Sequence, residues 1–192
     1  MKRHGKRILT IGLIVALVIV AYIWHENQDN RPYIEAIDTE QSHFDLLFHR
    51  YGGVRFRQQS EGVRVYLAHY NREELVLHEA IAGLGFGEAH MLDGYLLWGV
   101  TTEGGVPMEL RTRLSAGAGI SSTYFDLSYL NFDLTTAATA GQPFIGERVD
   151  QDGRFVLHLW QSGASMRADG NVFHPEQLQG SAHTVILYMV FE

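Results

Sequence analysis

Residues 54–87 read VRFRQQSEGVRVYLAHYNREELVLHEAIAGLGFG, and the architecture of the chain depends on how this stretch folds. Its first half alternates apolar and polar side chains, which is typical of strands that bury one face. We predict two short strands, at 54–57 and 63–70, because the Ser-Glu-Gly segment at 60–62 favours a turn between them. The stretch therefore begins with a predicted β-hairpin.

A helix is predicted directly after this hairpin, from residue 71 to about residue 84. Asn71 is a favourable N-cap, and Glu74 occupies the capping-box position three residues later. Four apolar residues recur with helical spacing and would form one buried stripe: Leu77, Ala80, Ile81 and Leu84. A second helix is predicted over residues 39–51, where Asp38 would be the cap. The domain is thus expected to contain about two helices.

The rest of the chain is predicted to be mainly extended. Strands at 95–102 and 106–114 flank a Glu-Gly-Gly turn, and strands at 147–150 and 154–160 flank a Gln-Asp-Gly turn. Residues 184–191 are almost continuously apolar, which is typical of a strand buried on both faces. Two early helices followed by many strands predict the α+β class, with one domain built on a mainly antiparallel sheet.

The N-terminal segment is predicted to be a single transmembrane helix that serves as a signal anchor. Residues 1–7 contain four Lys and Arg side chains and no acid, and the seventeen residues 8–24 carry no charge. A helix of that length spans roughly 25 Å, close to the thickness of a bilayer core. The positive-inside rule then places the N-terminus in the cytoplasm and the following domain in the periplasm. We therefore expect a single-pass protein of the bacterial inner membrane.

The predicted organisation has four parts: a basic cytoplasmic N-terminus at 1–7, a transmembrane signal anchor at 8–24, a polar linker at 25–32 and a periplasmic α+β domain at 33–192. Two other interpretations of the apolar segment are a cleaved signal peptide and a buried helix of a soluble domain. The segment is longer than the usual core of a signal peptide and lacks a good cleavage site. A lipoprotein is excluded because the chain has no cysteine.

Charge is distributed unevenly along the chain. Residues 25–192 hold all 22 acidic side chains against eleven arginines and no lysine, a formal net charge of −11. Such a domain is repelled by nucleic-acid phosphates, so we expect no binding of DNA or RNA. The absence of cysteine also excludes thiol catalysis. No cofactor is predicted, because no motif for one is complete.

The motifs that come closest to a known chemistry each lack a defining residue. His78 and Glu79 resemble the start of a zinc-protease motif, but residue 82, where its second histidine would stand, is alanine. The glycines at 83–87 follow a predicted helix, whereas phosphate-binding loops precede one. No metal site is predicted, although the dispersed histidines could still converge in the folded domain.

Two groups of arginines are the candidate partner-binding residues. Side chains two residues apart on a strand share one face, so Arg55 and Arg57 should point the same way. Arg64 is expected to join them across the first hairpin, and Arg111 and Arg113 form a second pair. Such guanidinium clusters bind a carboxylate, a phosphate or an acidic patch of a partner. The alternative is an ordinary solvated sheet face on which these arginines pair with nearby acids.

The sequence therefore favours a membrane-anchored periplasmic binding or adaptor domain that acts through protein–protein contact, and catalysis is not the favoured interpretation. A toxin-immunity protein and an accessory subunit of an envelope complex are two specific forms of this hypothesis. One alternative is a cell-envelope hydrolase that uses histidines and carboxylates from separate strands. The other is a small-ligand sensor or carrier, in which Trp98 and Trp160 would line the ligand cleft.

Overall fold

The chain divides into two compact units, Met1–Pro32 and Tyr33–Glu192. The computed structural model describes a short part of the first unit and most of the second. The described residues are 15–22, 32–38, 47–103, 106–130, 138–140, 153–162, 172–173, 178 and 180–192.

In the first unit, residues 15–22 are helical. No helix among the described residues is long and apolar enough to cross a membrane. The predicted transmembrane helix at 8–24 is therefore wrong, and so is the single-pass inner-membrane localisation that depended on it. Eight helical residues cover only about 12 Å, whereas a bilayer core is about 30 Å thick. Residues 8–14 and 23–24 of that segment lie outside the described residues.

The second unit is built almost entirely from strands. Along the described residues, eight strands and one 3-10 turn follow one another: β1 (Tyr33–Ala36), β2 (Arg50–Asn71), β3 (Glu74–Glu103), β4 (Val106–Ala116), β5 (Gly119–Asp126), the 3-10 turn (Leu127–Leu130), β6 (Ala138–Ala140), β7 (Arg154–Ser162) and β8 (His183–Phe191).

These strands form one antiparallel sheet around a long central hairpin, β2–β3. The order is β5–β4–β3–β2–β8–β7–β6, and β1 pairs with the first part of β2. On the outer sides of the hairpin, β4 pairs with residues 94–103 of β3 and β8 pairs with residues 63–71 of β2. The predicted antiparallel sheet is confirmed, but the α+β class with about two helices is wrong.

The predicted helix at 71–84 belongs to the central hairpin, and its expected cap is a tight turn. Asn71 pairs with Glu74, which leaves Arg72 and Glu73 as a two-residue loop. Arg72 has a φ of 55°, the left-handed conformation that short turns between twisted strands favour. Polar residues suited to a helix cap are equally suited to a turn, and here strand pairing determines the outcome.

Two further predictions, the helix at 39–51 and the first hairpin, are also corrected, because β2 is one long strand. Of the predicted helix at 39–51, residues 39–46 lie outside the described residues and residues 50–51 begin β2. The segments 54–57 and 63–70 are both extended, but they are parts of one strand without a chain reversal between them. The Ser-Glu-Gly segment at 60–62, which predicted a turn, instead forms an irregularity within the strand.

That irregularity is a large register shift in the middle of the hairpin. Ser60 pairs with His90 and Gly62 pairs with Gly85, so one residue of β2 stands opposite four residues of β3. An extra residue in a strand bends it and reverses which side chains face the core. Apolar side chains at even positions of β2 accordingly face the main core before the shift, and those at odd positions face it afterwards.

The bent sheet folds over one main core to which both halves of the hairpin contribute. Phe56 from the first half lies 5.2 Å from Phe191 of β8, with the rings edge to face. Trp98 of β3 lies 5.9 Å from Trp160 of β7 in the same arrangement. Because β2 and β8 separate β3 from β7 in the sheet, the contact between Trp98 and Trp160 shows that the sheet folds over this core.

Two predicted features of the later chain are confirmed. The hairpin of strands 95–102 and 106–114 corresponds to the paired strands β3 and β4. The apolar segment at 184–191 is β8, which lies between β2 and β7 and has six consecutive buried residues. The predicted strand at 147–150 lies outside the described residues, and β7 pairs with β8 and β6.

Candidate binding groove

Arg111 and Arg113 lie on the outer face of the sheet, where β4 runs between β3 and β5. In the strand register, Arg111 stands between Gly99 of β3 and Tyr124 of β5. Arg113 lies two residues further along β4 and therefore on the same face. Both arginines are exposed, whereas Thr112 between them is buried. The alternation of β4 thus presents two adjacent guanidinium groups outward.

A groove of about 520 Å³ lies along this face, and most of its lining is apolar. Its main side chains are two cations and three apolar or aromatic groups: Arg111, Arg113, Phe48, Leu97 and Tyr124. We call it the arginine groove. The Phe48 ring lies directly on Gly99, where a Cβ atom would come within 2.5 Å of it. Tyr124 forms the opposite wall and is 76% exposed.

The two arginines of the groove differ in their pairing. Arg111 donates from Nε to Glu109 Oε2 at 2.9 Å, and its Nη2 lies 2.8 Å from the same oxygen. Arg113 has no ion-pair partner among the described residues. A guanidinium without a carboxylate of its own retains its full capacity to donate paired hydrogen bonds to an anionic ligand.

The end of the groove beyond Arg111 is acidic. Glu109 stands opposite Asp126 on the neighbouring strand β5. The Ser128 backbone N–H donates a 2.8 Å hydrogen bond to Asp126, and this bond holds the pKa of that carboxyl below its usual value. Negative charge at one end and the Arg113 cation at the other would orient a charged ligand along the groove.

The predicted pair Arg55 and Arg57 lies on the same face of the sheet, on strand β2. Arg57 contacts the Asp93 carboxylate at 2.5 Å, and its guanidinium lies 5.9 Å from the centre of the Tyr33 ring. Arg55 is exposed and has no ion-pair partner among the described residues. Arg57 is thus satisfied within the fold, whereas Arg55 extends the positive charge of this face.

Arg64 does not join that pair as expected. It lies beyond the register shift of β2, so it belongs to the other half of the bent sheet. Its Nε contacts the Glu192 side chain at 3.1 Å. Both residues line a second cavity of about 480 Å³, next to Gly83 and Ser121. The expected cross-hairpin contact is absent because residues 54–57 and 63–70 continue one strand instead of pairing with each other.

No group of three metal-ligating side chains is found among the described residues, and two histidines form a close pair. His69 Nε2 lies 3.2 Å from His183 Nδ1. Burial, and secondarily the neighbouring His183, lowers the pKa of His69 to about 4. His78 contacts the Tyr188 hydroxyl at 2.5 Å on the outer face and stacks on Tyr66. These pairs are compatible with structural roles.

Both tryptophans expected to line a cleft belong to the main core, and Trp98 also borders the arginine groove. Trp98 is 5% exposed and Trp160 is fully buried, and their rings are in contact. Two further aromatic residues line the groove, Phe48 and Tyr124, and the sequence did not single them out. In sequence, Phe48 lay within the predicted helix at 39–51, and Tyr124 lay outside the strands predicted for the later part of the chain.

The arrangement is suited to binding. A mostly apolar groove with a few directed polar groups is the usual form of a ligand site. Its guanidinium groups match the geometry of a carboxylate or a phosphate, and its aromatic walls match an apolar side chain. Comparison with protein-family models, curated proteins and solved structures finds no match to this chain.

Proposed function

We propose that this chain is a binding protein whose arginine groove takes an acidic segment of a protein partner. The observation that carries the proposal is the position of Arg113, an exposed cation without an ion pair among the described residues, in a groove with aromatic walls. The segment would place a carboxylate on Arg113 and an apolar side chain between Phe48 and Tyr124.

The local charge of the groove supports an acidic partner despite the net charge of −7 of the whole chain. Exposed charges separated by more than about 8–10 Å are largely screened at physiological salt. A ligand in the groove therefore responds mainly to Arg113, Arg111 and the acids at the far end. The net negative charge would instead slow non-specific association with other acidic molecules.

The aromatic walls support a peptide over a simple anion. Aromatic side chains supply rigid contact area at low entropic cost, and Tyr and Arg are enriched among residues that dominate binding energy. An inorganic anion would use the guanidinium groups alone. A peptide with acidic and aromatic residues would use both parts of the groove.

The proposal is tested with a fluorescently labelled acidic peptide that contains Glu, Asp and Phe, titrated with the full chain and followed by anisotropy. Loss of one charge-assisted hydrogen-bonding group costs about 1.5–3 kcal/mol, so Arg113→Gln should raise the Kd by about tenfold or more. Raising the salt concentration should also weaken the wild-type complex.

Arg72→Gln is the matched control, because it removes one exposed positive charge at the hairpin tip, far from the groove in the register. This variant should keep the wild-type Kd to within about a factor of two. Equal losses in Arg113→Gln and Arg72→Gln would show that the peptide responds only to net charge, and the groove would then not be the binding site.

A further inference from the structure

In and beside the main core, three polar nitrogen atoms have no hydrogen-bond acceptor among the described residues. His158 Nε2, Trp160 Nε1 and Arg50 Nε are each shielded from solvent and lack a hydrogen-bond partner among the described residues. The side chain of Trp160 is fully buried and that of His158 is 7% exposed. Buried polar groups in native proteins are almost always hydrogen-bonded, so three such atoms in one region require an explanation.

These three residues come from β2 and β7, which are separated by β8 in the sheet. His158 and Trp160 lie on the inner face of β7, opposite the buried Leu187 and Val185 of β8. Their rings are 4.3 Å apart. The third residue, Arg50, begins β2, where it pairs with Val100. Folding of the sheet places the two halves against each other at this point.

The Trp98 ring connects the start of β2 with the two residues on β7. It pairs with Gly52, two residues after Arg50, and a Cβ atom on this glycine would come within 2.6 Å of the Trp98 ring. The same ring lies 4.7 Å from the His158 ring. The indole therefore lies between the start of β2 and the inner face of β7, next to the unsatisfied nitrogen atoms.

The chemistry of the three groups determines what could bind them. An arginine Nε and an indole nitrogen can only donate, and a neutral imidazole nitrogen donates in one of its tautomers. Burial and the Arg50 charge lower the pKa of His158 to about 3, so its ring is neutral near pH 7. An occupant must therefore supply hydrogen-bond acceptors.

The charge of Arg50 indicates that the occupant is negative. Arg50 is half-buried and its Nε is shielded from solvent, and an anion favours a guanidinium that is partly withdrawn from water. The buried polar side chains of the described residues are serine, threonine, glutamine and histidine, without an aspartate or a glutamate. No described acceptor reaches these three nitrogen atoms, and an external anion would satisfy both the charge and the donors.

We propose that the inner face beside Trp98 binds a small monovalent anion, such as acetate or chloride, through Arg50 Nε, Trp160 Nε1 and His158 Nε2. This site is separate from the arginine groove, which lies on the outer face of the sheet. The anion connects β2 with β7 on the inner face of the folded sheet.

The test uses the ¹⁵N-labelled full chain and follows the indole N–H signals of its three tryptophans. Sodium acetate, and separately sodium chloride, replaces sodium gluconate at constant ionic strength, and Trp160→Phe identifies the Trp160 signal. We expect a saturable shift of that signal with at least one of the two anions. In Arg50→Met the affinity should fall by about tenfold or more.

Arg55→Met is the matched control, because it removes an exposed arginine from the outer face of the same strand and should bind acetate or chloride as the wild type does. If Arg50→Met does not fold, the wild-type titration remains decisive. A Trp160 signal that does not shift with either anion would overturn the proposal, since water would then satisfy the donors. A shift that persists unchanged in Arg50→Met would overturn it as well.

Discussion

Acidification should destabilise this fold through His158, a nearly buried histidine of the main core. Burial, with a smaller effect of the Arg50 charge, lowers the pKa of His158 from its ordinary value of 6.5 to about 3. The unfolded chain therefore binds a proton at this residue in a pH range where the folded chain does not. The stabilising effect is complete above about pH 6.5 and is lost as the pH falls towards 3.

The magnitude follows from the difference between the two pKa values. One pKa unit corresponds to about 1.4 kcal/mol, so the full difference of about 3.5 units is worth about 5 kcal/mol. Between pH 7 and pH 4.5 the expected loss at His158 is about 2–3 kcal/mol. His69, whose pKa is lowered to about 4, adds a loss of similar size over the same interval. Domains of this kind are stable by about 5–15 kcal/mol in total.

The assay is urea unfolding at several pH values in gluconate buffer, with the free energy of unfolding extrapolated to water. His158→Gln removes the titrating group and should reduce the loss of stability between pH 7 and 4.5 by about 2–3 kcal/mol. His90→Gln is the control, because His90 is exposed on β3. A wild-type pH dependence in His158→Gln would refute the reasoning, since His158 would then not be the source of the acid sensitivity.

Three further substitutions test the strand geometry. Gly94→Ala should destabilise the domain by about 1–3 kcal/mol in urea unfolding, because its Cβ atom would lie 2.1 Å from the Ser115 carbonyl oxygen. Gly85→Ala, whose Cβ atom would meet nothing within 4 Å, is the control and should have a smaller effect. Arg72→Gly should raise the Tm and stabilise by up to about 1 kcal/mol, because glycine adopts a positive φ without strain. Thr123→Val should cost about 1–2 kcal/mol, measured in the same way, because the Thr123 hydroxyl donates to a carbonyl of β3.

Strand pairing along the later part of the chain could be predicted from local sequence. Alternation and a glycine-rich turn were sufficient for the β3–β4 hairpin. The continuous apolar segment at 184–191 was sufficient for a strand buried on both faces. In both cases the period of the side chains and the turn residues indicate the same structure.

The central hairpin could not be predicted in this way, because its irregularities imitate a helix. Val65 pairs with Ala82 and Tyr66 with Ala80, which leaves Ile81 as an extra residue. That extra residue interrupts the two-residue period of β3 and creates spacings of three and four between buried positions. The same spacings define one face of a helix, so the period alone could not distinguish the two structures.

The candidate groove was predictable only in part. The alternation of β4 indicates that Arg111 and Arg113 share a face, and they do. Phe48 and Tyr124 reach the same groove from other parts of the chain, and only the pairing of three strands brings them together. The unsatisfied donors of the core depend on the bend of the sheet, which no local pattern encodes. Whether the arginines bind a partner stays a prediction.

The most direct test of the proposed function is chemical-shift mapping of the ¹⁵N-labelled full chain with the acidic peptide. We expect saturable shifts of the backbone amides of residues 97–99, 111–113 and 122–124, which form the arginine groove. Amides of β7 and β8 should change little, because these strands lie in the other half of the sheet. Saturable shifts confined to β7 and β8, or no saturable shifts at all, would contradict the assignment of binding to the groove.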